Sequence, residues 1–250
     1  MNERQQRILT LLGDQRELSV AHLSQLLEIS QVTVRKDIDV LVAEGYATRR
    51  HGSVLAVSGE NIAGRLLRSY EEKLEIAKRA ASLVRDGDTV LIESGSTCAI
   101  LGKLLAKQKR NLTIVTNSFF IADFIREFTE VKTILLGGEF QPEAKVAVGP
   151  LTALCLQQFY GKYLFCGVDG LSPQWGFTLS DPMRADTVVH MAKSAQETCV
   201  LTTSEKFRQR GTATQLPFSQ VSRLFTDSGI SQEEQLFFEE KGISVCLPRP

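Results

Sequence analysis

Apolar residues recur along this chain with two different spacings, and the change of spacing divides it. Early on they fall at helical intervals: Ile8, Leu9, Leu11 and Leu12, then Val20, Leu23, Leu26 and Leu27, then Val34, Ile38 and Leu41. Each set makes one stripe on a helix of 3.6 residues per turn, which predicts three short amphipathic helices. Only Glu28-Ile29 separates the second from Ser30, a good N-cap because its hydroxyl accepts from an amide of the first turn. Glu44-Gly45 ends the third helix, the glycine suiting a left-handed cap. Residues 46–57 then read as two strands about a His51-Gly52 turn.

Farther on the spacing changes. A helix over 71–84, with Leu74, Ile76, Ala77, Ala80 and Ala81 on its apolar side, leads into short apolar runs. These runs, at Thr89–Ile92, 112–115, 131–136, 163–168, 198–201, 221–225 and 243–247, are predicted strands. Helical stretches fall between most of them, at 98–108, 118–128, 150–159, 184–196 and 231–241. Apolar β runs separated by helices imply a mostly parallel sheet covered on both faces. The predicted class is therefore α/β: a small N-terminal helix-turn-helix with a hairpin wing over 1–57, a linker over 58–70 opening on Ser58-Gly59-Glu60-Asn61, and a mostly parallel-sheet α/β domain over 71–250. A length of 250 residues holds one large and one small core.

Composition narrows the function classes. Apolar content of 43% and charged content of 23% are those of a soluble globular chain. Formal net charge is zero, and residues 1–57 carry seven Lys/Arg against seven Asp/Glu, so any nucleic-acid footprint must be local. Five widely spaced cysteines, at 98, 155, 166, 199 and 246, form neither a CxxC pair nor a disulfide framework and read as reduced thiols. Neither a signal peptide nor an apolar run long enough for a membrane span is evident, so the expected compartment is the cytoplasm and no membrane partner is expected. His22, His51 and His190 are too scattered for a three-histidine metal site, and no metal or cofactor is expected.

Two regions carry candidate chemistry. The third helix turns Val34, Ile38 and Leu41 inward and leaves Val32, Lys36, Asp39 and Ala43 opposite, with Thr33 and Arg35 on the shoulders. That layout suits the major groove, although an amphipathic helix with solvated charges would look the same by itself. The hairpin puts Arg49, Arg50 and His51 within reach of phosphates. In the second region, loops at the carboxyl ends of successive strands are rich in small and hydroxyl residues: 93–97, 116–118, 137–139 and 167–170. Ligands of open α/β sheets bind there, and a helix N-terminus with small residues is an anion cradle.

The segment from Arg4 to Val54 resembles the winged helix-turn-helix of the DeoR family of bacterial transcriptional regulators. The matching pieces are Arg7-Ile8-Leu9, Leu18-Ser19-Val20, Ile29-Ser30, Thr33-Val34-Arg35-Lys36-Asp37-Ile38, Leu41 and Arg50-His51-Gly52. The family's second glycine after the histidine is Ser53 here. The resemblance runs through nearly the whole chain. It implies a regulator, usually a repressor, that binds operator DNA, with base contacts from Gln31, Thr33, Arg35 and Lys36. The modest local charge calls for two or more heads, so a homo-oligomer, dimer or tetramer, is expected. Phosphate contacts would come from Ser30, Arg49, Arg50 and His51.

It also implies a sensor domain similar in fold to ribose-5-phosphate isomerase, which binds a phosphorylated sugar or related metabolite as effector. By position, Glu93, Ser94, Gly95, Ser96 and Thr97 would hold the phosphate and nearby hydroxyls. Thr116, Asn117, Ser118, Gly137 and Gly138 would line the pocket, and Asp169 and Lys206 would meet hydroxyls or a phosphate oxygen. Three departures stand around that pocket: Glu93 where the family has Asp, Thr203 where it has the Asp ahead of Lys206, and Arg184 where it has a carboxylate. They leave two readings, an altered and more anionic effector or lost sensing. An isomerase-like enzyme with an appended winged helix is the rival class, with Glu93, Glu139 and Asp169 as candidate bases. None of these sits among acidic partners, and an enzyme has no need of a winged helix, so no enzymatic activity is expected.

Overall fold

The structure, a computed structural model, describes residues 3–15, 17–43, 46–56 and 62–248. The chain divides into two compact units, Met1–Tyr70 and Glu71–Pro250.

The first unit comprises α1 (Glu3–Gln15), β1 (Glu17–Ser19), α2 (Val20–Leu27), α3 (Gln31–Ala43), β2 (Ala47–Arg50), β3 (Ser53–Ala56) and α4 (Ile62–Leu67). Ile8, Leu9, Leu12, Leu23, Val34, Ile38 and Leu41 are all buried, so the three apolar stripes converge on one core. Ser19 starts α2 by accepting from the His22 amide at 3.1 Å. Glu28 ends α2 in the left-handed region (φ 54°), its N–H returning to the carbonyls of Ser24 and Gln25. A non-glycine holds that conformation because two backbone bonds close the turn that aims α3.

The hairpin has two loop residues, His51 (φ 39°) and Gly52 (φ 85°), with Arg50 paired to Ser53. Positive φ at both positions is the turn whose twist matches the flanking strands. Ser53 already belongs to β3, so its replacement of a glycine leaves the turn intact. Unforeseen was β1, which pairs antiparallel with β3 and makes the wing a three-stranded sheet. Within 58–70, residues Ile62–Leu67 form a helix whose Ile62 and Leu66 are buried, packed against α1. Glu44, Gly45, Val57 and the predicted joint 58–61 lie outside the described residues.

The second unit runs α5 (Tyr70–Ala81), β4 (Thr89–Ile92), α6 (Ser96–Gln108), β5 (Thr113–Thr116), α7 (Phe119–Phe124), β6 (Lys132–Leu135), β7 (Glu139–Gln141), β8 (Val146–Val148) and α8 (Pro150–Leu156). It continues with β9 (Gly161–Cys166), β10 (Gly170–Ser172), β11 (Gly176–Leu179), α9 (Pro182–Lys193), β12 (Ala195–Leu201), a 3₁₀ turn (Ser204–Arg208), β13 (Ala213–Leu216), β14 (Arg223–Phe225), α10 (Gln232–Glu240) and β15 (Ser244–Cys246). All seven predicted strands form one parallel sheet in the order β15-β14-β12-β9-β4-β5-β6. Its central strands are buried on both faces, as with Val90, Leu91 and Ile92, which is why they read as unbroken apolar runs. Two smaller antiparallel sheets, β7-β8 and β10-β11-β13, rise from the loops and were not evident beforehand. An aromatic cluster of Phe177, Phe218, Phe237 and Phe238 fills the core between β11 and α10, with ring centroids 5.3 to 5.9 Å apart for its closest pairs.

Strand order reverses at β4. The chain passes from β4 outward to β5 and β6, then returns to β9 on the other side of β4 and continues to β12, β14 and β15. The loops leaving β4 and β9 therefore part in opposite directions, and in such sheets that is where a crevice opens.

Candidate functional site

In the first unit the groove-facing candidates lie on α3 and the wing. Gln31, Arg35 and Lys36 are exposed on α3, as are Arg49, Arg50 and His51 on the hairpin. Ser30 is the N-cap, its Oγ accepting from the Thr33 amide at 3.1 Å and lying 2.9 Å from the Thr33 hydroxyl. Those two hydroxyls satisfy each other at the helix start. Arg35 reaches back to the Gln31 side chain at 3.5 Å. Arg49 has a positioning role the sequence did not reveal: its guanidinium donates to the Arg35 carbonyl at 3.1 Å and pairs with Asp39 at 2.9 Å. The wing is thereby fastened to α3. Asp37 is buried and accepts from Arg4 at 2.5 and 3.1 Å and from Gln5 at 3.2 Å, locking α3 to α1. Its place on the inward side of α3, between Val34 and Leu41, was the only hint of that task.

In the second unit the reversal of strand order brings Glu93, Ser94 and Gly95 against Gly167. A Cβ on Gly95 would lie 3.3 Å from the Gly167 Cα, so the absence of side chains lets the two backbones approach this closely. Gly95 is also the N-cap of α6 and supplies no side-chain cap, leaving the backbone of the first turn, at Ser96 and Thr97, to face any anion. Beneath lies the Glu93 carboxylate. It accepts from the Ser94 hydroxyl at 2.5 Å, from the Gly167 amide at 3.3 Å and from Arg184 at 3.4 Å. The Glu93 and Arg184 side chains are 2% and 11% exposed, so this is a buried ion pair between β4 and the start of α9.

The other predicted residues divide into internal and surface groups. The Thr116 hydroxyl donates to the Ile92 carbonyl at 2.6 Å, and Ser118 caps α7 through the Ile121 amide at 3.2 Å. Asn117 donates to the Ala147 carbonyl at 3.0 Å. All three are buried and shape the loop between β5 and α7. The Gly137 carbonyl accepts from Thr152, and a Cβ on Gly138 would meet that same Thr152 hydroxyl at 2.0 Å, so α8 closes down on this loop. Asp169 accepts from the Ser180 amide at 2.9 Å. Lys206 bonds to Gln209 at 3.0 Å within the 3₁₀ turn, and Ser204 beside it is held by Asp227 in place of the missing neighbouring carboxylate.

Sequence reasoning missed Gln215, which donates to the Gly167 carbonyl at 3.0 Å from β13. Three buried polar atoms, Asn117 Oδ1 in the loop after β5, Arg184 Nε on α9 and Gln215 Oε1 on β13, have no hydrogen-bond partner among the described residues. Two are acceptors and one is a donor. Cys166 and Cys199 lie in the sheet, and burial pushes both thiols up from their ordinary value. They stay protonated and inert.

A sequence profile described as "DeoR-like helix-turn-helix domain" matches residues 4–60, and one described as "DeoR C terminal sensor domain" matches residues 68–228. Among curated relatives, the HTH-type transcriptional regulator GolR of Listeria innocua is 27% identical over 249 residues, covering 98% of each chain. The HTH-type transcriptional repressor CsqR of Escherichia coli is 27% identical over 251 residues, covering 99% of this chain and 96% of the relative. Ribose 5-phosphate isomerase A of Methanocaldococcus jannaschii aligns with a TM-score of 0.40 at 20% identity, over 55% of this chain and 54% of the isomerase. Among the described residues, no helix is long and apolar enough to cross a membrane. With both of its units matched in family order, the chain belongs to the DeoR family of helix-turn-helix transcriptional regulators.

Proposed function

We propose that this protein is an operator-binding repressor whose affinity for DNA is set by a phosphorylated sugar or related acidic metabolite held at the carboxyl end of its parallel sheet. It has no enzymatic role. Gln31, Arg35 and Lys36 reach base edges, while Arg50 and His51 follow the phosphates. Ser30, Thr33 and Arg49 act mainly by holding the helix start and the wing in position. The observation that carries the effector reading is the start of α6: a glycine cap without a side chain, pressed against Gly167 where the strand order reverses. A phosphate there meets backbone N–H groups and the positive end of a 13-residue helix.

Arg184 favours an altered effector over lost sensing. Its guanidinium is buried beside Glu93 with Nε unpartnered among the described residues, a donor that an effector oxygen would complete. A panel of aldose, ketose and sugar-acid phosphates, followed by calorimetry, tests the reading. The wild type is expected to release or absorb heat with at least one compound. A Ser96→Asp variant should bind none, because a carboxylate at that position suits the helix but repels phosphate. Absence of binding across the panel, or unchanged binding by the variant, would overturn the site.

A further inference from the structure

We infer that Val32 reads a thymine base through its 5-methyl group, making it a specificity-determining residue among the polar side chains of the recognition helix. The inference rests on the operator-binding reading and goes further by naming what one position of the operator contains. Val32 is 61% exposed, the most exposed of the large apolar residues among those described in the first unit, where Leu26 and Val40 reach only 40%. It lies at the second position of α3, one turn ahead of Lys36 and flanked by the exposed Gln31 and Arg35. N-terminal residues of a recognition helix are the ones that approach base edges.

Its neighbours are already committed. The Thr33 hydroxyl is engaged by Ser30, and Asp39, farther along the same face, is paired with Arg49. What the first turn then offers the groove is an isopropyl group between a carboxamide and two cations. A valine in a helix keeps essentially one side-chain rotamer, so its methyl groups are held in place before binding. In the major groove, the only apolar feature that distinguishes one base from the others is the thymine methyl. Contact removes both apolar surfaces from water, whereas a guanine or adenine edge would leave the isopropyl group facing an unsatisfied acceptor or donor.

The test begins by enriching randomised duplex DNA on the full-length protein, followed by replacing each thymine of the enriched site with deoxyuridine, which lacks only the methyl. One replacement is expected to weaken wild-type binding roughly fourfold, the effect of one buried methyl-sized group. Val32→Ala should bind the thymine and deoxyuridine duplexes alike, and should enrich sites relaxed at that position. Its melting temperature and the salt dependence of its binding should match the wild type, since the residue is exposed and uncharged. Wild-type binding insensitive to every replacement, or a Val32→Ala protein as sensitive as wild type, would overturn the inference while leaving DNA binding intact. Failure of the wild type to enrich any sequence would overturn the operator-binding reading and this inference together.

Discussion

Single residues here divide into those that reach outward and those that hold them in place, and substitutions should separate the two. Arg35→Ala removes an outward-facing fork and should cost roughly 1–3 kcal/mol of specific binding while relaxing one base preference, read by competition among operator variants. Unchanged discrimination would remove Arg35 from the base-reading set. Glu93 and Arg184 are the inward counterpart. Replacing either one alone, as in Glu93→Gln or Arg184→Gln, strands the other charge in the interior and should cost about 3 kcal/mol in urea unfolding. The double replacement should be distinctly milder than the sum of the two. Strictly additive losses would mean the pair is not coupled. Burial of Cys166 and Cys199 carries a pH consequence whose sign follows from proton counting. Unfolded thiols lose their protons as pH rises through the ordinary value of 9.0, while the folded ones retain theirs. The unfolded state then binds fewer protons, so stability should fall as pH rises beyond that value. A Cys166→Ala, Cys199→Ala protein should lose less stability over the same range.

Among the elements, α10 and the region around β4 are the informative ones. Phe238 on α10 is buried and stacks on Phe177 with ring centroids 5.9 Å apart, inside a cluster that also touches Phe207, Phe218 and Phe237. Phe238→Ala should cost about 3–5 kcal/mol, measured by chemical denaturation, and Phe238→Leu much less. The loop between β4 and α6 makes a different prediction. Gly95→Ala places a methyl 3.3 Å from both the Gly167 backbone and the Cys98 sulfur, so the β4 and β9 loops must move apart by a few tenths of an ångström. Effector binding should weaken at least tenfold while the chain still folds and binds operator. Wild-type calorimetry from this variant would show that the backbone contact does not shape the site. How far each element was legible follows from its composition and its partners. The seven sheet strands and the main helices could be read because each carries its own apolar pattern. β1, β7, β8, β10, β11 and β13 could not: their short runs are mostly mixed with Gly, Ser, Gln or Glu, and β1 and β13 take their partners from distant chain.

At the scale of the whole molecule, charge decides how the protein meets DNA. Acid and base balance over the chain, so the proposed DNA-reading surface has only a few local cations to use, at Arg35, Lys36, Arg49 and Arg50. Arg49 spends its charge largely on Asp39, so under the proposed reading each head has few free cations for phosphates and binding should tighten when more than one head engages an operator. Operator affinity should therefore show a shallow salt dependence per head. Arg50→Ala should lower the slope of log affinity against log salt by about one per head without altering sequence preference. A changed preference would instead mean that Arg50 reads bases. The amino-acid sequence by itself determined the division into a winged helix-turn-helix and a parallel α/β unit, the inward stripe of α3 and the loops that gather at the sheet's carboxyl end, because these are properties of local pattern. Only the tertiary structure decided that Thr33 is occupied by Ser30, that Arg49 braces the wing and Asp37 the helix, that Glu93 is answered by Arg184, and that Gln215 belongs beside Gly167. Those assignments join residues up to 91 positions apart, and which polar groups end up satisfying one another is a matter of packing that no local pattern encodes.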